Sequence, residues 1–270
     1  MNTELHGPLT QKGLVSIVMP CYQAFNTLQR SVSGVQSQTY SNWELLLIVD
    51  GSVDGTLALA QTLAKQDDRI RLVVSGKNRG VSRCRNLGIR LSKGSWIAFC
   101  DSDDLWLPHK LADQMNLVVA EQAQLVCSGF SFYYPATGVK LPVHTRKIIN
   151  YRVMLHTNAI PLSTAMFSVS ELGRCYFPEM PSPYIHEDYA FWLQMFQNCN
   201  PKVSYLESCT VEITQVAGSR SANKWLSMRS HGYILKSVAK VGGLRWGWLM
   251  LNYVWHGSLK RILGKWSRET

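Results

Sequence analysis

The first hundred residues alternate between two hydrophobic rhythms. "LVSIVMP" (14–20) is an apolar, β-branched run, interrupted only by Ser16 and closed by a proline. A run that brief predicts a strand buried on both faces. "WELLLIVD" (43–50), "IRLVVS" (70–75) and "SWIAFCD" (95–101) repeat the pattern. Between them apolar positions fall at helical spacing, in "NTLQRSVSGVQSQ" with Asn26 as its cap, in "TLALAQTLAKQ", and in "GVSRCRNLGIRLSKG" (80–94), closed by Gly94. Strands alternating with helices predict an α/β protein built on a doubly wound, mostly parallel sheet. Ligands of such sheets bind beyond the carboxyl ends of the strands. Pro20, Asp50, Asp54 and "DSDD" (101–104) all fall at those ends, so the chemistry is expected there.

Charge divides the chain. Up to Thr214 there are 18 Lys+Arg against 17 Asp+Glu, and from Gln215 onward 10 against 1, so the net charge of +10 belongs almost wholly to the end of the chain. This argues against a nucleic-acid groove on the main domain and for a basic segment with its own partner. The polar first thirteen residues, with no apolar leader, read as a loose tail. The organisation expected is therefore tail 1–13, an α/β main domain 14–214 and a basic, Trp-rich helical segment 215–270. In that segment Trp246, Trp248, Trp255 and Trp266 mix with Lys260, Arg261 and Lys265 around the apolar stretch "WGWLMLNYVW". That stretch falls short of the roughly 20 residues a spanning helix needs. Aromatic and basic residues together predict contact with an anionic membrane surface. The competing expectation is a helix packed back on the domain. Seven scattered cysteines without a CxxC pair or zinc spacing suit reduced thiols in the cytoplasm.

"FCDSDDLW" (99–106) sets three carboxylates within four positions, where like charges repel unless a cation sits among them. There is no GxGxxG after the first strand and no Walker A pattern, so glycine-rich loops are not available to cradle phosphates. Hard oxygen ligands suit Mn²⁺ or Mg²⁺, completed by phosphate oxygens and water.

With these residues in view the chain resembles glycosyltransferase family 2, whose members have the GT-A fold. The resemblance covers about residues 14 to 200. It rests on "VSIVMPCYQAFNTLQRSVSGVQSQTYSNWELLLIVDGSVDGT", "NRGVSRCRNLGI", "WIAFCDSDDLWLPHKLADQ" and "HEDYAFWLQM", in the family's order and spacing. It implies transfer of a sugar from a nucleotide donor, usually UDP-linked, with inversion at the anomeric carbon. It implies a divalent metal, Mn²⁺ or Mg²⁺, held through Asp101-Ser102-Asp103, with Asp103 on the metal and diphosphate and Asp101 facing the ribose. Pro20 and Tyr22 would edge the nucleotide pocket, Asp50 would recognise the base, and Arg85 would lie near the donor. Asp188 matches the catalytic base, with Glu187 supporting it. Val49 departs from the pattern, standing where many members carry a first acid. The processive members' QxxRW motif is not visible, which favours addition of a single sugar. Such enzymes often use lipid-linked saccharide acceptors in bacterial surface-polysaccharide assembly, implying a cytoplasmic protein peripheral on the inner face of the membrane.

Each of these residues has a plainer reading. Asp50-Gly51 is a common turn pair, Asp104 could cap the helix beginning in "LPHKLADQM", and Asp188 could cap "YAFWLQMF". Arg83 reads as a solvated helix charge. "TNAIPLSTAMFS" is expected to return to the sheet with Ser163 and Thr164 available as donors, and the proline-rich "YFPEMPSPY" to form either a sugar-stacking wall or a surface loop. Two other functions also fit parts of the chain. A non-catalytic scaffold would not need Asp101, Asp103 and Asp188 together, and a nucleotidyltransferase would carry a glycine-rich loop.

Overall fold

The computed structural model describes residues 11–143, 148–215 and 223–266. Residues 1–10 of the expected tail lie outside it, as do the side chains of Lys260, Arg261, Lys265 and Trp266. Four parallel strands form the first half of the sheet: β1 (Gln11–Cys21), β2 (Trp43–Asp50), β3 (Ile70–Ser75) and β4 (Gly94–Phe99), in the order β3-β2-β1-β4. They are joined by α1 (Leu28–Gln36), α2 (Thr56–Gln66) and α3 (Val81–Leu91). The second half adds β5 (Leu105–Trp106), β6 (Leu125–Tyr134), β7 (Val139–Val143), β8 (Met166–Ser168) and β9 (Val203–Thr214). Strand β8 runs antiparallel to both β4 and β6, so the sheet becomes mixed where it leaves the parallel half. The helices there are α4 (Lys110–Glu121), α5 (Tyr151–His156), α6 (Val169–Leu172) and α7 (Glu187–Cys199), followed by α8 (Lys224–Ser237) and α9 (Gly243–Trp266).

The apolar runs are continuous because both faces of the sheet are covered. Along β1 and β2, Ile17, Met19, Leu45, Leu47 and Val49 join the layer under α1, α2 and α4, whereas Val18, Leu46 and Ile48 join the layer under α3 and α7. This alternation is the period of two expected of a strand. Val49, the departure from the family's acidic pattern, is a core residue of the first layer, where an acid would be buried. The strand order reverses at β1: the chain moves outward from β1 to β3 and then returns to β4 on the other side. The switch point is therefore the gap between the carboxyl ends of β1 and β4.

Three boundaries differ from expectation. Residues 11–13 belong to β1, held by Gly13 N donating to Ser95 Oγ at 2.9 Å and by Tyr40 Oη donating to Gly13 O at 2.6 Å. Asn26 does not cap α1; the amides of Thr27 and Leu28 donate to Ala24 O instead. Gly94 opens β4 and does not close α3. A Cβ there would lie 2.4 Å from Leu14 O, so glycine is required by the approach of β1.

The basic segment shares the core. Ile234, Leu235, Ala239, Val241 and Leu249 lie in the same apolar cluster as Phe99 and Phe191, and Trp246 Nε1 donates to Gly232 O at 3.0 Å. The outer face of α9 stays apolar as well: Leu244, Trp248, Leu251 and Trp255, spaced 4, 3 and 4 residues apart, are 95, 57, 73 and 67% exposed. No helix among the described residues is long and apolar enough to cross a membrane.

Candidate active site

Two clefts open at the switch point and share a wall. The first, about 620 Å³, runs from Pro20 and Tyr22 past Asp50, Asn78 and Gly80 to Asp101 and Asp103. The second, about 380 Å³, lies between Asp103, Leu162, Ser163, Thr214 and Asp188. Arg85, Asp101, Asp103 and Glu187 line both. The structure thus brings Pro20, Tyr22, Asp50, Arg85, Asp101, Asp103 and Glu187 to one cleft and Asp188 to its neighbour.

Asp50 ends β2 and is buried. Its carboxylate accepts from Arg79 N at 2.9 and 3.0 Å and from Gly80 N at 2.9 Å, so it pins the β3–α3 loop against the floor of the cleft. Gly51 permits this closeness: its φ is +65°, and an added Cβ would meet Asn78 N at 2.5 Å. Asp54 staples the neighbouring loops, accepting from Phe25 N at 3.0 Å and from Thr56 Oγ1 at 2.5 Å.

The shared wall is an ion-pair bridge. Arg85 Nη2 donates to Asp101 Oδ1 at 2.7 Å and Nη1 to Glu187 Oε1 at 3.0 Å, while Nε has no partner among the described residues. Burial alone would favour losing the proton, but Asp101 and then Glu187 outweigh it and drive the guanidinium pKa upward. Removing Glu187 would leave the buried guanidinium short of a partner, whereas the Asp101 side of the bridge, 35% exposed, is partly screened by solvent. Arg85 therefore locks the β4 end to the first turn of α7. Arg83, by contrast, points outward to Glu179 at 3.2 Å, with both side chains exposed.

The three carboxylates of the acidic run separate into three environments. Asp101 faces Arg85. Asp104 is buried and turned inward, where Ser163 Oγ donates to it at 2.5 Å and Thr214 N at 3.1 Å. It caps no helix, since the N-cap of α4 is His109, five residues later. Asp103 opens on both clefts, and its pKa is pushed up to about 6 by burial and by Asp101 beside it. An oxygen donor strained by a like charge and bordering a cleft is the chemistry a hard cation relieves. Among the described residues no three His, Cys, Asp or Glu side chains converge to hold a metal alone. Asp103 fits a cation whose other ligands come from phosphate oxygens and water.

Asp188 stands in the first turn of α7, whose N-cap is His186 at φ 71°, with no side-chain cap bond. Asp188 is therefore not the capping residue. Asn158 Nδ2 donates to its Oδ2 at 2.7 Å. Burial first, and then Glu187, raise its pKa above the usual value, against His186 and Arg85. The turn bearing it is held by α8: Ile185 N donates to Ser230 Oγ at 3.0 Å, Tyr184 stacks on Tyr233 at 4.2 Å, and Tyr189 stacks on His231 at 5.1 Å.

Other expected donors are already engaged. Ser163 Oγ serves Asp104, and Thr164 Oγ1 donates to Pro161 O at 2.7 Å. Their turn (162–164) is anchored through its carbonyls: Trp106 Nε1 donates to Ser163 O at 3.0 Å, and Gln114 Nε2 to Thr164 O at 2.8 Å. The proline-rich stretch supplies no aromatic wall to the second cleft. Phe177 is buried, stacked on Phe191 at 4.2 Å, and Tyr184 is taken by Tyr233. Asn158, Thr214 and Ser230 were not singled out in the sequence, because their role depends on contacts far along the chain.

This sheet, with its acidic loop at the switch point, is that of the GT-A glycosyltransferases. Residues 16–170, more than half of the chain, match the profile of Glycosyl transferase family 2, and the chain belongs to that family. It is 26% identical over 252 residues to the putative teichuronic acid biosynthesis glycosyltransferase TuaG of Bacillus subtilis, covering 93% of this chain and 98% of that one. It is 32% identical over 231 residues to WfaP of Escherichia coli, a UDP-Glc:alpha-D-GlcNAc-diphosphoundecaprenol beta-1,3-glucosyltransferase, covering 83% and 86%. Its fold matches that of S. aureus TarS in complex with UDP-GlcNAc, with a TM-score of 0.67 at 16% identity over 89% of this chain and 71% of that one. The protein is a glycosyltransferase with the GT-A fold.

Proposed function

We propose that this transferase moves one sugar, with inversion, from a UDP-linked donor to a lipid-linked saccharide at the inner face of a bacterial cell membrane, in surface-polysaccharide assembly. The observation that carries the reading is the shared wall: a cleft suited to a nucleotide diphosphate and a second cleft bearing Asp188 meet at Arg85, Asp101, Asp103 and Glu187. The names of TuaG and WfaP support the pathway and the acceptor class.

In this reading Pro20 and Tyr22 edge the nucleotide, the Asp50-pinned loop meets the base, and Asp101 faces the ribose. The acceptor hydroxyl enters the second cleft. Its proton passes to Asp188 as its oxygen bonds to the anomeric carbon, and the bond from that carbon to the diphosphate breaks, releasing UDP. Glu187, held by Arg85, supports the turn that presents Asp188. A divalent cation, Mn²⁺ or Mg²⁺, held by Asp103 would supply charge compensation for the leaving diphosphate. The experiment is transfer from UDP-glucose, among a panel of sugar nucleotides, to GlcNAc-diphospho-polyprenol in vesicles. Acceptor-dependent release of UDP is the expected result, and release of pyrophosphate or none from any donor overturns the reading.

The membrane part rests on the outer face of α9 and on the exposed Trp225, Arg229 and Lys236 of α8, Lys240 after it and Arg245 of α9. Fully burying a large apolar side chain contributes about 1.5–3 kcal/mol. Leu251→Ser with Trp255→Ser, both on the outer face, should therefore weaken sedimentation with anionic vesicles about tenfold or more, and salt should weaken the intact protein's binding by screening. An intact protein that ignores anionic vesicles at low salt rules the membrane part out. Truncation at Gln215 is the poorer test, because it also removes Ser230 and Tyr233 from the Asp188 turn.

A further inference from the structure

The side chains around Asp188 form a closed ring. Helix α7 carries both Asp188 and, one turn on, Trp192. Trp192 Nε1 donates to Ile160 O at 3.0 Å, and both residues are fully buried. Ile160 N donates to Asn158 Oδ1 at 3.4 Å, and Asn158 Nδ2 donates to Asp188 Oδ2 at 2.7 Å. The bond from Ile160 settles which way the amide points. Its oxygen is occupied by a backbone N–H, so its nitrogen faces the carboxylate. Tyr189 Oη adds a second tie, donating to Met154 O at 2.7 Å. The segment 154–160 is thus fastened to the first two turns of α7 at three points.

We propose that Asn158 is a positioning residue for the acceptor's base: it holds Oδ2 of Asp188 and leaves Oδ1 as the oxygen that receives the hydroxyl proton in the second cleft. The proposal rests on Asp188 being that base. Two consequences follow from the chemistry of the bond. An N–H donor favours the charged carboxylate, which opposes the effect of burial and of Glu187. It also fixes the carboxylate's rotation, and small misplacements of a reacting group are costly in rate. Among the described residues, His186 and Tyr189 on its own turn and Arg85 from α3 also act on Asp188, and His186 and His156 of α5 act on His231 of α8.

The experiment compares Asn158→Ala, Asn158→Asp, Asp188→Asn and the double variant Asn158→Ala with Asp188→Asn, following kcat, the donor KM and the pH profile of transfer. Asn158→Ala should lower kcat about tenfold with the donor KM unchanged, and move the acid limb to higher pH. Asn158→Asp keeps the side chain's shape, so it reads the bond even where the alanine variant folds poorly. It should work only where the two carboxylates share a proton, so a new alkaline limb should appear. In the double variant the alanine change should cost nothing further, since there is no longer a base to position. Loss of transfer in Asp188→Asn together with wild-type kcat and pH limbs in both single Asn158 variants overturns the positioning role and leaves the base standing. Near-normal transfer in Asp188→Asn overturns the base itself, and the positioning role with it.

Discussion

Asp103→Asn is expected to lose metal-dependent UDP binding and to lower transfer by orders of magnitude, while the metal-free protein becomes more stable. The two halves have one cause. In the metal-free protein Asp103 carries its charge against burial and against Asp101, which is why its pKa is pushed up to about 6. An acid whose pKa is raised by folding opposes folding once the pH passes above its unfolded value, near 3.9, and the full penalty is present above about 6. Asn removes that penalty, so the variant's melting temperature in chelator should exceed wild type by a few degrees, about 2–4 °C per kcal/mol relieved, at pH 7–8. The advantage should fade as the pH falls towards 4. A neutral amide oxygen is also a poor substitute for a carboxylate on a hard cation. Calorimetry with UDP and Mn²⁺ measures the loss and thermal melts measure the gain. Wild-type affinity in the variant would sink the assignment of Asp103 to the metal.

The position of Asp103 at the cleft was legible in the sequence because it depends on a local pattern. An apolar strand ending in "DSDD" places carboxylates beyond a sheet edge whatever the rest of the chain does. The same holds for the parallel half of the sheet, where runs buried on both faces announce themselves without knowledge of their partners. What sequence could not show were the distant contacts that hold Asp104 and Arg85. Asp104 turns inward because Ser163 and the Thr214 amide await it, 59 and 110 residues further along the chain. Arg85 looked like a residue near a donor, and it is also the bridge between Asp101 and Glu187.

The C-terminal segment was half legible for the same reason. Its composition pointed to a surface with a partner, and its outer face is exposed and apolar. Its inner face had no signature distinct from the outer one, so the packing of Trp246 on Gly232, and the support α8 lends to the Asp188 turn, could come only from the folded chain. The proline-rich stretch left a sugar-stacking wall and a surface loop equally open, because composition could not show that Phe177 lies in the core against Phe191.

Asp188→Asn is expected to reduce transfer about 10²-fold or more, because an amide cannot take the acceptor's proton. The substitution is close to isosteric, and Asn can still accept from Asn158 through its own oxygen, so the fold should persist. Donor binding should be nearly unchanged, because Asp188 lines the second cleft, whereas Glu187 lines both. In the wild type the base must be ionised to act, and burial, then Glu187, raise its pKa from the ordinary value. Activity should therefore be complete at high pH and decline as the pH falls, with the acid limb displaced upward from that of an unperturbed Asp. In the variant that acid limb should vanish from the residual rate. Near-normal transfer would move the role away from Asp188. Glu187 would then be the next residue to test, although its carboxylate is already engaged by Arg85 at 3.0 Å. Loss of UDP binding together with transfer would instead mean that the carboxylate holds the shared wall in shape, which a melting curve lowered in parallel would register.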